Sequence, residues 1–463
     1  MAQGYAPPQA VTDALAGMGA RPDTSMAAHI GMWWGWYTST ADFYDQTVVV
    51  GDGKVMRRHR LTIHPARRVC REWASLLLND ETTISASSPE ADGMLREWLR
   101  ATGLVQRGQG MLERAFALGT GAWALSFDVG DDATSVGLRR YDARQVLPLA
   151  WDDDACRECA FCSAVRVRGA RYDQLQAHVL DRETGTYHVL TRLFDADGSE
   201  ADAEALGMIA DYDSGTPLPT FALVRPAIDN VYSDGSSMGQ SVFADATSAI
   251  QAVDNAFDSI VREIDATKVK TFVSDQLFGV GSYVDASGAA RRAVRVASPD
   301  DSIIRVSAQD PDLVSTFAPE IRIAPLREAL DVALGELGDL TGLGSQYLST
   351  SKAGGLKTAT EVAADNSALM RNAAKHGHLL SAAISGICEA ALSCMGHEDE
   401  AVSVDLDDTI VADTASDKAQ MLSEVSAGLV PGWMYLQRFY GLNEDEARER
   451  AREAAQATSP LAI

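Results

Sequence analysis

The chain contains no stretch of about 18 uninterrupted apolar residues of the kind a membrane-spanning helix needs. The closest run, LLSAAISGICEAALSCMG (379–396), is largely Ala and Ser and carries Glu389, so no membrane partner is expected. The first residues, MAQGYAPPQAVTDALAG, lack a basic region followed by an apolar run, so no secretory signal is expected there. Cysteine is scarce: six in 463 residues do not make a disulfide framework. The expectation is a cytoplasmic-type soluble protein. The phosphate-cradling spacing G-x-x-x-x-G-K-S/T occurs nowhere, and Gly279-Val-Gly281 lacks a third glycine and a following helix. No nucleotide motor, dinucleotide enzyme or cofactor is therefore expected. Positive charge is also in short supply, with 40 Lys and Arg against 65 Asp and Glu, a net charge of −25 and a pI near 4.6. A protein that coats nucleic acid needs the opposite balance.

At this length the chain can bury substantial cores and is expected to form two or more domains. Its 46% hydrophobic and 23% charged residues are ordinary for a folded protein. Residues 1–28 read as a loosely ordered lead-in. An aromatic cluster of Trp33, Trp34, Trp36, Tyr37, Phe43 and Tyr44 follows, then alternating VVVGDGKVMRRHRLTI, where Asp52-Gly53 signals a hairpin. Helical patterns cover 65–78, with Pro65 suited to a first turn, and then 89–101 and 108–118. Strand-like segments come next at 122–129, 135–141, 159–169, 176–182, 186–194 and 220–226, several separated by turn signals. The first half is thus α+β with an antiparallel sheet.

The second half changes character. Between Gly239 and Gly279 there is neither glycine nor proline, and Val242, Ala246, Ile250, Val253, Phe257, Ile260 and Ile264 form one helical stripe. Asp245, Asp254, Asp258, Glu263 and Asp265 are expected elsewhere on that helix. A β-rich insert at 271–318 includes SIIRV (302–306), and a helix is expected at 320–340. The loop GLGSQYLSTSKAGG (342–355) then feeds a proline-free segment, 358–395. There Val362, Leu369, Ala373, Leu380, Ile384, Ile387, Ala391 and Met395 recur at spacings of three, four or seven. At 1.5 Å per residue that helix would run about 57 Å. The tail predicts a strand at 401–406 and helices at 415–427, 431–440 and 443–456, the last with Asn443 as its cap.

Three motifs suggest chemistry. Gly235-Ser-Ser237-Met-Gly239 fits the G-x-S-x-G elbow of serine hydrolases, with Ser237 as nucleophile and His376, His378 and His397 downstream. It lacks an HGGG-type segment and surrounding βα alternation, and the simpler reading makes Ser233, Ser236 and Ser237 a cap for the next helix. Val404-Asp405-Leu-Asp407-Asp408-Thr409 resembles an aspartyl phosphatase loop, but only 58 residues follow Asp405, too few to complete that fold. Cys156, Cys159 and Cys162 form C-x-x-C-x-x-C, yet a tetrahedral metal site needs a fourth ligand, and none lies nearby in sequence. Neither a catalytic residue nor a metal ligand is expected.

Several blocks in order resemble the portal proteins of long-tailed double-stranded DNA phages. They are MWWGWYTSTADFY (32–44), RLTIHPARRVCREWASLLLNDETTIS (60–85), GQSVFADATSAIQAVDNAFDSIVREIDATKVK (239–270), LKTATEVAADNSALMRNAAKH (356–376) and 404–447. The resemblance implies a mainly helical α+β portal fold and no enzymatic activity. It divides the chain into an antiparallel β wing (1–232), a first stem helix (233–268), a small clip (269–318) and a second stem helix (319–340). A tunnel loop (341–357), a long wing-to-crown helix (358–396) and a short crown (397–463) complete it.

It also implies a ring of about twelve copies at the capsid vertex of the virion, assembled in the host cytoplasm, with double-stranded DNA passing through its channel without sequence preference. The implied partners are the major capsid protein and scaffold, the terminase large subunit and a head-tail adaptor. Ser349, Ser351, Lys352 and Lys357 would be the tunnel-loop residues facing DNA. Lys268, Lys270, Arg291, Arg292 and Arg295 would be the clip's contacts with motor or adaptor. About twelve copies at −25 each carry on the order of 300 formal negative charges, a wall along which phosphates slide without deep electrostatic traps.

Overall fold

The computed structural model describes residues 6–49, 55–129, 134–153, 155–274, 282–284, 290–292, 302–306, 314–349, 359–406, 421–426, 429–440 and 443–457. The protein is α+β, with helices and mostly antiparallel sheets. It opens with α1 (Gln9–Gly17) and α2 (Ala27–Tyr37), followed by β1 (Asp45–Val49) and β2 (Val55–His59). These two strands form the expected hairpin, in register from Asp45↔His59 to Val49↔Val55, and its turn lies outside the described residues. Next come α3 (Pro65–Leu77), β3 (Thr83–Ala86), α4 (Pro89–Thr102) and α5 (Leu104–Leu118). The bounds of α4 have local causes: the Ser88 side chain accepts from the Ala91 N–H, Pro89 occupies the first turn, and Gly103 ends the helix at φ +61°.

Two sheets follow. β4 (Gly121–Val129) sits between β5 (Thr134–Asp142) and β12 (Phe221–Val224). The larger sheet runs β10–β9–β8–β7–β6, from Glu200–Ala201, Tyr187–Phe194, Ala170–Leu180 and Ala155–Val167 to Val146–Asp152, with β11 (Asp211–Asp213) also on β9. Trp33, Trp73 and Trp123 are all 0% exposed in the main core.

Two expectations need correction. Residues 9–17 are not a loose lead-in, because Val11 and Leu15 bury one face of α1 against Leu147, Cys162, Leu175 and Phe194 on the larger sheet. Two anchors a single turn apart are too few to register as periodicity. β6 contains Pro148, which reads as a strand breaker. It survives as the end strand of its sheet, with register shifts on either side of Ala150.

The long helix expected after Gly239 is α6 (Thr247–Ala266). Its stripe is buried at Ile250 and Val253, but Ile264 is 47% exposed, while Asp254, Asp258 and Glu263 are buried. Each acid has a partner that hydropathy cannot register. Asp254 accepts from the Tyr44 hydroxyl (2.7 Å), the Thr62 hydroxyl (2.8 Å) and the Ile63 N–H (3.0 Å). Asp258 pairs with Arg58, and the Arg322 guanidinium donates to both oxygens of Glu263 at 2.9 and 3.0 Å. Burial raises the Asp254 carboxyl, whereas Arg322 holds Glu263 below the ordinary carboxylate range.

β13 (Lys270–Ser274) is central in a three-stranded sheet, parallel to β16 (Ile303–Val306) and antiparallel to β17 (Val314–Phe317). β14 (Ser282–Val284) and β15 (Ala290–Arg292) form a separate pair. α7 (Ile323–Leu340) leads to the loop, and α8 (Ala359–Cys394) is the 36-residue helix, about 54 Å at 1.5 Å per residue. By length and composition Ser367–Cys394 could cross a membrane, but Leu369, Ala373, Leu380, Ile384, Ile387 and Ala391 spend its apolar stripe on the main core.

β18 (Val402–Asp405) returns to the N-terminal half and pairs with β3, Val402↔Ala86 through Asp405↔Thr83. Beside it Glu400 accepts from the Ser87 and Ser88 hydroxyls, the latter at 2.6 Å. Residues 421–426 are helical, and the rest of the 415–427 expectation lies outside the described residues. α9 (Gly432–Tyr440) and α10 (Glu444–Ala457) follow, and Asn443 caps α10 by accepting from the Glu446 N–H at 2.9 Å.

Candidate functional site

The segment joining α7 to α8 is fixed at its base. A Cβ on Gly338 would stand 2.4 Å from the Gly344 carbonyl oxygen, so only glycine permits that approach, and the Gly344 N–H donates to Gly338 O at 3.0 Å. Gly342 and Gly344 both take positive φ, +80° and +86°. The Trp73 indole N–H donates to Thr341 O at 3.0 Å, Asn372 Nδ2 to Gly342 O at 3.0 Å, and the Tyr347 hydroxyl to Glu72 at 2.9 Å. Leu343 and Leu348 are buried. Residues 341–348 are thus clamped between α3, α7 and α8.

Ser349 lies at the rim of this clamp, on a groove of about 860 Å³ along α7. Ser351, Lys352 and Lys357 lie outside the described residues. The groove wall carries Glu328, Asp331, Glu336 and Asp339 against Arg327 as its cation. The spacing of these acids was legible in the sequence, but only the fold shows that they share one wall.

His376 sits under the clamp. Its ring meets Trp73 at 4.7 Å and Phe116 at 5.0 Å, both edge-on, and Nδ1 accepts from the Ala227 N–H at 2.8 Å. Burial lowers its pKa to about 4, so the ring is neutral and packs as part of the core. His178, buried with Nδ1 2.7 Å from the Thr220 hydroxyl, is lowered to about 3 by the same cause.

The basic residues expected to act together do not share one sheet. Lys268 follows α6 and pairs with Asp265 at 2.8 Å, and Lys270 opens β13. Arg291 and Arg292 lie on β15, in register with Tyr283 and Ser282, and Arg295 is outside the described residues.

The motifs that suggested chemistry have structural explanations. Ser237 is 0% exposed, and no strand-to-helix elbow surrounds it, since α6 begins ten residues later at Thr247. A nucleophile must be reachable, so the hydrolase reading has no support. The serines do not cap α6 either. Ser236 donates to Asp23, and Ser233 bonds to Ser25, tying this loop to the entrance of α2. Cys159 belongs to the main core and Cys162 to the core on the other face of the larger sheet. Cys156 also packs on the main core and its thiol contacts that of Cys159, whereas Cys162 points to the other face, so the three thiols do not converge. Asp405 lies on β18 opposite Thr83, and Asp407 and Asp408 are outside the described residues.

Comparison with known proteins gives one strong match. The model of the family described as phage portal protein, SPP1 Gp6-like, covers residues 36–460. No curated protein matches the chain. Among solved structures, a chain of the neck of the native GTA particle, computed with C12 symmetry, is similar at a TM-score of 0.42 and 11% identity, over 97% of this chain and 95% of that one. A chain of the neck of the empty GTA particle, computed with C6 symmetry, gives 0.40 and 12%, over 84% and 89%. On the family match, which spans nearly the whole sequence, this chain belongs to the SPP1 Gp6-like phage portal proteins.

Proposed function

We propose that about twelve copies of the chain form a ring at one vertex of a phage capsid, as a conduit for DNA packaging and ejection. The observation that carries this reading is the family match over 36–460. The pinned loop base supports it, since it presents a short loop from a rigid platform made by three helices. In this reading residues 1–232 are wing, 233–268 and 319–340 stem helices, 269–318 clip, 341–357 tunnel loop, 358–396 the wing-to-crown helix and 397–463 crown.

The ring acts through shape and charge, with no chemistry of its own. Its acidic wall keeps the phosphate backbone from sticking. Lys352 and Lys357 on the tunnel loop give transient, sequence-independent holds on phosphates. The clip docks first the terminase motor and then the head-tail adaptor, with capsid protein and scaffold around the wing. Light scattering with negative-stain electron microscopy tests this. Rings of about twelve subunits with an open axial channel are expected. A chain that stays a compact monomer of 49.5 kDa, both alone and with capsid and scaffold proteins, would refute it.

A further inference from the structure

The two helices that bracket the pinned loop expose opposite charge. On α7, Ala333, Leu334, Leu337 and Gly338 face the core. Its outer side carries Glu328, Glu336 and Asp339, all exposed, and these line the groove with Ser345, Gln346 and Ser349. On α8, Leu369, Ala373, His376, Leu380 and Ile384 face the core. At 100° per residue, Arg371, Lys375 and His378 fall on the opposite side, and all three are exposed. Arg371 and Lys375 stand one turn apart, about 6 Å along α8, so both fit within the roughly 12 Å of α7 between Glu328 and Glu336.

We propose that these faces are the two halves of one subunit contact, in which the basic face of α8 in one copy seats in the acidic α7 groove of the next copy. The proposal rests on the ring reading above and deepens it. The two patches differ, so their pairing is head to tail, and a head-to-tail contact that closes on itself makes a ring. Copies that each carry −25 repel one another at a distance. Assembly therefore needs local opposite charge where they touch, and the α8 stripe supplies it on an otherwise acidic chain. The groove is concave, and the long Arg and Lys side chains reach into it from a helix whose intervening Ala374 leaves room for close approach.

The test uses two variants of the full chain, R371E/K375E on α8 and E328K/E336K on α7, which alter only exposed side chains. Ring formation is followed by light scattering against protein concentration. Each variant alone should need roughly tenfold more protein than the wild type, because two attractive pairs become repulsive. An equimolar mixture of the two should form rings at the wild-type concentration, since each altered face then meets its complement on the other variant. Wild-type assembly by either variant alone overturns the proposal. So does a mixture that stays unassembled. If R371E/K375E keeps wild-type rings but loses affinity for a double-stranded DNA fragment in fluorescence anisotropy, the α8 face serves nucleic acid and the proposal falls. If the wild-type chain itself forms no ring, the ring reading fails and takes the proposal with it.

Discussion

Replacing Asp254 by Ala should cost the fold roughly 3–6 kcal/mol, because three donors lose their acceptor together. The Tyr44 hydroxyl, the Thr62 hydroxyl and the Ile63 N–H all point at this one carboxylate, which is 0% exposed. An orphaned buried donor costs about 1–3 kcal/mol; two of these are hydroxyls that can rotate, which sets the estimate toward the lower half of the sum. Asp254→Asn keeps the shape and one acceptor, and its amide can donate to the rotated hydroxyls, so a loss of only about 1–2 kcal/mol is expected.

Urea unfolding followed by tryptophan fluorescence reads the effect, and Trp36, 5.9 Å from the Tyr44 ring, reports on the site itself. Hydrogen exchange should show the loosening concentrated in residues 44–64 and the facing part of α6. The sign with pH is also fixed. Burial raises the Asp254 pKa in the folded state, so acidification toward the ordinary value of 3.8 relieves this site. A loss below about 1 kcal/mol for Asp254→Ala would refute the reasoning, since it would mean that water replaces the carboxylate at no cost.

His376 predicts the opposite response to acid. Its folded pKa lies near 4 against an ordinary 6.5, so the stability linked to it is whole above 6.5 and is lost as pH falls through about 4. The difference of 2.5 corresponds to about 3 kcal/mol at most. In urea titrations from pH 7.5 to 4.5, His376→Phe should begin less stable, with the Ala227 N–H unpaired, and fall less steeply than the wild type. Parallel profiles for the two proteins would count against the buried neutral imidazole. If the proposed conduit holds DNA through Lys352 and Lys357, replacing both by Ala should lower DNA packaging or retention while rings still assemble. Normal packaging by that double variant would remove the two lysines from the DNA path.

Elements whose cause is local were legible in the sequence. The hairpin around Asp52-Gly53, α3 behind Pro65, α4 between Ser88 and Gly103, and the cap at Asn443 each depend on residues within a few positions. What escaped depends on partners far along the chain. α1 exists because a sheet formed by residues 146–194 covers Val11 and Leu15. β3 exists because residues 402–405 pair with it. The hydropathy stripe on α6 placed Asp254 and Asp258 outside, since no pattern of apolar residues can anticipate a Tyr44 hydroxyl or an Arg58 guanidinium arriving from 200 residues away. The loop after α7 was legible as glycine-rich, but the clamp on residues 341–348 was not. Trp73 and Asn372, which hold it, read as ordinary helix residues.

The pairing of β3 with β18 gives the chain a clock. From Ala86 to Val402 there are 402 − 86 = 316 residues, so β3 leaves the ribosome long before the strand that covers its edge. At about 5–20 residues per second, the interval is roughly 16–60 s. Throughout it β3 has no strand partner, and Ser87 and Ser88 wait for Glu400. A chain cut short before residue 400 never pairs β3. Pairing of β18 thus reports only that synthesis has passed residue 405, and copies that stop short of it carry an unpaired β3, the kind of exposed edge that invites association with other chains.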